Sequence, residues 1–141
     1  THTPVQASSL KRGSYLLIKG QPCKIYHIAT SKTGKHGSAK CHFVAFHIFT
    51  GNRLEEISPA HGTPQSPVVR RDKYMLSYIS YDGYLSLLGD DGEVKSDLEC
   101  PGGDVGGKIR ELHESGVYLK IVVLSALGQE QVVDWEEDKE Q

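Results

Sequence analysis

No aspartate or glutamate occurs before Glu55. The same stretch holds Lys11, Arg12, Lys19, Lys24, Lys32, Lys35, Lys40 and Arg53, so residues 1–54 carry +8 with histidine neutral. Residues 55–141 hold the other 8 basic and all 18 acidic residues and carry −10, so the net charge of −2 conceals two halves with different electrostatic tasks. Cysteine is also scarce. Cys23, Cys41 and Cys100 form an odd set without C-x-x-C spacing, which argues against a disulfide framework or a zinc knuckle and for a reducing compartment. Long apolar runs are missing: the longest, residues 121–127, falls far short of the roughly 18–20 residues of a membrane helix. No charged-then-apolar leader precedes a cleavage site, so the expectation is a soluble, cytoplasmic protein with no membrane span. With 38% hydrophobic residues in a chain of 141, one or two small cores can be buried, which excludes collagenous, low-complexity and fully disordered classes.

What is present reads as short β-strands separated by turn signals. Strands are expected at residues 14–19, 23–29, 40–49 and 53–57, with turns at Gly20-Gln21-Pro22 and Thr50-Gly51-Asn52, an order that suggests a small barrel. Residues 58–67 contain three prolines, one glycine and nothing to bury, and are expected to be a linker between domains at 1–67 and 68–141. Beyond it, strands are expected at 73–80 and 84–88, joined by an Asp82-Gly83 turn, and another strand starts at Val94 after Asp90-Asp91-Gly92. Asp104 is the expected N-cap of a helix running to Glu114 and stopped by Gly116, followed by a final strand at 117–124 and a frayed acidic tail from residue 134. Strands, one short helix, then strands again is the order of an OB-like barrel, although another small α+β fold has the same elements.

The densest chemistry lies at residues 30–39, which lack any large apolar side chain. Lys35 and His36 stand between Gly34 and Gly37, with Lys32 and Lys40 flanking them and no carboxylate nearby in sequence. A phosphate-binding Walker loop needs a Gly-Lys-Ser/Thr end leading into a helix, whereas Gly37 leads to Ser38-Ala39-Lys40 and a strand. A Schiff-base lysine needs burial or cationic crowding to lose its proton, and a hairpin tip in water offers little of either. Two readings remain: a mobile solvated hairpin, and a contact loop for nucleic acid, which the charge map favours.

Ser31-Lys32-Thr33-Gly34-Lys35-His36-Gly37, then Ala39-Lys40 and Ile48-Phe49-Thr50-Gly51, closely resembles the eukaryotic translation initiation factor 5A family, the hypusine-containing factors. Lys19-Gly20-Gln21-Pro22-Cys23-Lys24-Ile25 and Asp82-Gly83-Tyr84-Leu85-Ser86-Leu87-Leu88 extend the resemblance, which covers about residues 8–127. It implies a mainly β protein, a basic SH3-like barrel followed by an acidic OB-fold barrel with one short helix, and a factor that is not an enzyme. It also implies that Lys35 receives a spermidine-derived aminobutyl group from deoxyhypusine synthase and is then hydroxylated by deoxyhypusine hydroxylase to hypusine, with no bound cofactor. Lys32, Thr33, Gly34, His36, Gly37 and Lys40 would form the hypusine loop and its RNA contacts. The implied partners are the ribosome, ribosomal RNA and peptidyl-tRNA, with stall relief at proline runs and help in termination as the task. A general single-strand RNA-binding protein or nucleocytoplasmic transport adaptor is the alternative.

Departures limit the likeness: Ser38 stands where relatives often have histidine, Ser58-Pro59 replaces a Cys-Pro, and residues 60–67 and 129–141 do not match. The start at Thr1, without methionine or an acidic leader, leads us to expect trimming. His2, His27, His42, His47 and His61 lack metal-ligand spacing and are expected on surfaces or strand faces; Cys23 and Cys41 are expected in the core. Tyr74, Tyr78, Tyr81 and Tyr84 would serve as cross-strand packing in preference to a base-stacking platform.

Overall fold

The computed structural model describes residues 2–32 and 39–139. The chain folds as two units, Thr1–Val69 and Arg70–Gln141. The first opens with β1 (His2–Pro4) and a single 3-10 turn at Ala7–Ser9, then forms an antiparallel meander of β2 (Tyr15–Ile18), β3 (Gln21–Lys32), β4 (Ala39–His47) and β5 (Arg53–Pro59). Lys19 and Gly20, with φ of 52° and 76°, make the two-residue turn between β2 and β3, a geometry that matches the right-handed twist of the strands it joins. Alternation along the strands sends Leu16, Ile18, Cys23, Ile25, Cys41, Phe43 and Ala45 into one core with Ala7.

Residues 58–67, expected as a linker, belong to this unit. β5 runs to Pro59, and β6 (Gln65–Pro67) pairs antiparallel with β1, His2 opposite Pro67. The prolines mislead because the partner strand needs acceptors here: Pro64 O accepts from Val5 N, Gly62 O from Ala7 N and Ala60 O from Ser8 N.

The second unit is a five-stranded antiparallel sheet. Its strands are β7 (Arg70–Ile79), β8 (Tyr84–Leu88), β9 (Val94–Glu99), β10 (Leu119–Ala126) and β11 (Gln129–Glu137), in the order β11-β10-β7-β8-β9. Between β9 and β10 runs α1 (Gly103–Glu114), whose Val105, Ile109 and Leu112 recur at helical spacing and pack on the core of Leu76, Leu85, Leu87, Ile121, Val123 and Val132. Edge strands β9 and β11 are bridged by Lys95 Nζ, 2.9 Å from Glu130 Oε1, and the strongly curled sheet is an OB-fold barrel.

Four expectations for this unit need correction, the last of them the packing of its tyrosines. Gly102, not Asp104, occupies the N-cap without a side-chain hydrogen bond, and Asp104 lies in the first turn, where its charge complements the helix dipole. The last long strand is followed by another, because a Leu127-Gly128 turn at φ of 51° and 77° reverses the chain into β11. The acidic tail is therefore ordered through Glu137: Val132 is buried, Trp135 packs on the core and Asp138 N donates to Tyr118 O. Of the four tyrosines, Tyr74 packs against the core, whereas Tyr78, Tyr81 and Tyr84 are exposed. Cys23, Cys41 and Cys100 are buried free thiols. Among the described residues no helix is long and apolar enough to cross a membrane.

Candidate nucleic-acid interface

The β3–β4 hairpin brings the described members of the predicted loop together. Lys32 pairs with Ala39 and Ser31 with Lys40, so Lys32 and Lys40 sit in adjacent register at the hairpin's end, both exposed. Thr33, Gly34, Lys35, His36 and Gly37 lie outside the described residues, as does most of the segment expected to be a mobile tip.

The seven described basic residues of the first unit, Lys11, Arg12, Lys19, Lys24, Lys32, Lys40 and Arg53, are all exposed. Its two carboxylates compensate them little. Glu55 is held by Arg53 Nη1 at 3.1 Å and His42 Nε2 at 2.9 Å; these hydrogen bonds, that from Arg53 foremost, keep its carboxyl below the usual range. Glu56 is half-buried, and burial pushes its carboxyl up against the opposing pull of Lys19. Among the described residues, Lys11, Arg12, Lys24, Lys32 and Lys40 form no ion pair. The second unit is wired differently: Arg70 pairs with Asp72, Arg71 with Asp134, Lys73 with Glu136, Lys95 with Asp97 and Glu130, and Lys108 with Glu111. Five of its cations are paired with its own acids, while in the first unit five of the seven described cations form no ion pair among the described residues and project into solvent, the arrangement that releases counterions from a polyanion.

One group went unnoticed in the sequence. Arg12 Cζ lies 5.4 Å from the ring centroid of Tyr26, and Tyr26 meets Phe46 edge-to-face at 5.5 Å and 77°. A register shift between Ile25 and His27, invisible in composition, carries Tyr26 outward beside Phe46. His47 takes a structural part instead, its Nδ1 accepting from Phe49 N and Thr50 N to close the β4–β5 turn. No group of three or more His, Cys, Asp or Glu among the described residues is placed to hold a metal ion.

A family model described as "Translation initiation factor 5A-like, N-terminal" matches residues 1–62, and one described as "Eukaryotic elongation factor 5A hypusine, DNA-binding OB fold" matches residues 68–136. Eukaryotic translation initiation factor 5A-1 of Saccharomyces cerevisiae is 42% identical over 134 residues, which cover 95% of this chain and 85% of that protein. The chain belongs to the translation initiation factor 5A family. Factor 5A-2 of Schizosaccharomyces pombe is 48% identical over 127 residues, covering 90% of this chain and 75% of the relative. Among solved structures, a factor 5A family protein from Naegleria fowleri superposes with a TM-score of 0.87 at 36% identity, covering 96% of this chain and 98% of that one. Factor 5A from Methanococcus jannaschii gives 0.75 at 26%, covering 96% and 95%. These relatives are named as translation factors, and membership of factor 5A places this chain among them. The first unit is accordingly the SH3-like domain and the second the OB-fold of the family.

Proposed function

We propose that this chain is a ribosome-binding factor that acts through Lys35 modified to hypusine, and that it works in the cytoplasm. The register of β3 with β4 carries this reading: it sets Lys32 and Lys40, two cations that form no ion pair among the described residues, at the root of the segment that contains Lys35. Lys35 alone offers one ammonium on a four-carbon stem. A spermidine-derived aminobutyl arm, added by deoxyhypusine synthase and then hydroxylated by deoxyhypusine hydroxylase, lengthens the reach and adds a second amine, so that a thin cation enters a narrow RNA-lined cavity. Thr33, Gly34, His36 and Gly37 would present the arm, and Lys32 and Lys40 would hold adjacent phosphates.

Docked beside peptidyl-tRNA, such an arm contributes by positioning the acceptor end, not by moving protons. Proline runs are the natural target, since proline's fixed φ and hindered nitrogen make it a poor partner in peptide transfer. The basic domain, residues 1–67, would face RNA, and the acidic domain, residues 68–141, would stand off it. The experiment is reconstituted translation of a proline-run reporter and of a termination reporter, with hypusinated wild type against Lys35→Arg. Arginine keeps the charge but cannot be modified, so stall relief should fall to the level without factor. Activity retained in the arginine variant would reduce the chain to a charge-dependent RNA binder or transport adaptor.

A further inference from the structure

The outward face of the first unit's sheet carries two large exposed aromatic rings, Tyr26 at 56% and Phe46 at 37% of their full accessibility. They are not scattered. Tyr26 lies edge-to-face with Phe46, Arg12 caps Tyr26, and Phe46 sits in register between Lys24 on β3 and Arg53 on β5. Arg53 shares its charge with Glu55, but Arg12 and Lys24 form no ion pair among the described residues. Fixed aromatic rings ringed by uncompensated cations are the chemistry that holds single-stranded nucleic acid: the rings stack bases without regard to sequence and the cations track phosphates. Arg12 suits both tasks, because a guanidinium is weakly hydrated, stacks on a ring and still offers N–H groups to phosphate. An apolar protein partner would leave Arg12 and Lys24 desolvated without a counter-charge, whereas a polyanion pairs them.

We propose that Arg12, Lys24, Tyr26 and Phe46 form a base-stacking site for unpaired RNA, separate from the Lys35 segment. Six strand residues at ~3.3 Å each put Tyr26 about 20 Å from Lys32, so one RNA contact does not serve both places. The site rests on the RNA-facing function proposed above and adds to it a second anchor, one that reads exposed base faces instead of entering a cavity.

The test uses the unmodified chain of residues 1–141 and a single-stranded RNA decamer with a central 2-aminopurine, whose fluorescence is quenched on stacking, in about 50 mM salt. Wild type should bind and quench. Tyr26→Ala should weaken binding roughly 5- to 100-fold and abolish the quench, whereas Tyr26→Phe keeps both. Tyr26→Leu keeps apolar bulk without a π-face and should behave like the alanine variant, which guards against a folding defect in the latter. Arg12→Gln should lower the salt slope of log Kd by about 0.7. Unchanged binding and quench in both Tyr26→Ala and Tyr26→Leu overturns the stacking site, as does binding by wild type without quench. Tyr26 variants that bind the decamer normally but sediment poorly with ribosomal subunits would make the face a protein contact and equally overturn it. Because Lys35→Arg is scored in translation and the Tyr26 variants in direct RNA binding, either idea fails without the other.

Discussion

Gly106 and Gly107 are neighbours in α1, yet their surroundings differ completely. A Cβ on Gly106 would fall on the carbonyl of Pro101 and come within 3.5 Å of Cys100 Sγ, whereas one on Gly107 would meet nothing within 4 Å. The close approach lets the chain before α1 fold flat against its first turn, where the Cys100 thiol also donates to Gly106 O at 3.7 Å. Burial pushes the Cys100 thiol up, so it stays protonated and keeps donating. Gly107→Ala should therefore stabilise the protein by about 0.5–1 kcal/mol, the ordinary gain of alanine over glycine in a helix. Gly106→Ala should lose roughly 3 kcal/mol, because the backbone of residue 101 cannot yield as a flexible side chain would. Denaturant unfolding of the two single variants checks the pair, and equal shifts in one direction would refute the packing account.

At the scale of elements, closure of the OB barrel depends on its two edge strands, and Lys95 is the side chain that joins them. Its bond to Glu130, with a further contribution from Asp97, raises its titration above the ordinary lysine value despite partial desolvation. A cation whose folded-state pKa is raised contributes stability that is complete below the unfolded value and is lost as pH rises through the folded one. Lys95→Met should thus cost about 0.5–1 kcal/mol at pH 7, and the gap to wild type should close only above roughly pH 10, as thermal melts from pH 7 to 11 would show. The sequence announced β8 and α1 because an Asp-Gly turn and a helical apolar period are local signals. It concealed β11, whose core residues Val132 and Trp135 are outnumbered by outward acids and thrown out of phase by a bulge opposite Val122 and Val123. It concealed β6 for a different reason: a proline carbonyl is as good an acceptor as any, but only the distant β1 reveals the need for it. The candidate site divides in the same way, since Lys32 and Lys40 are legible as charge whereas the meeting of Arg12, Tyr26 and Phe46 depends on strand register.

For the whole molecule, charge divides where the fold divides. The unit Thr1–Val69 holds 8 basic and 2 acidic residues, +6, and Arg70–Gln141 holds 8 basic and 16 acidic, −8. Each has its own buried cluster, led by Phe43, Leu16 and Ile18 in the first and by Leu85, Leu87, Ile109 and Ile121 in the second. A domain of about 70 residues is near the lower limit for folding alone, so the marginal case is informative. Expressed separately, the fragments 1–69 and 70–141 should each unfold in a single cooperative transition by circular dichroism. The basic fragment should bind single-stranded RNA with a steep salt dependence, while the acidic one, with a net charge of −8 and five of its cations already paired with its own carboxylates, should bind none at the same ionic strength. A fragment that lacks a cooperative transition would mean that its core is completed by the other unit. RNA binding by the acidic fragment would instead point to the exposed Tyr78, Tyr81 and Tyr84 as a stacking surface strong enough to override net repulsion.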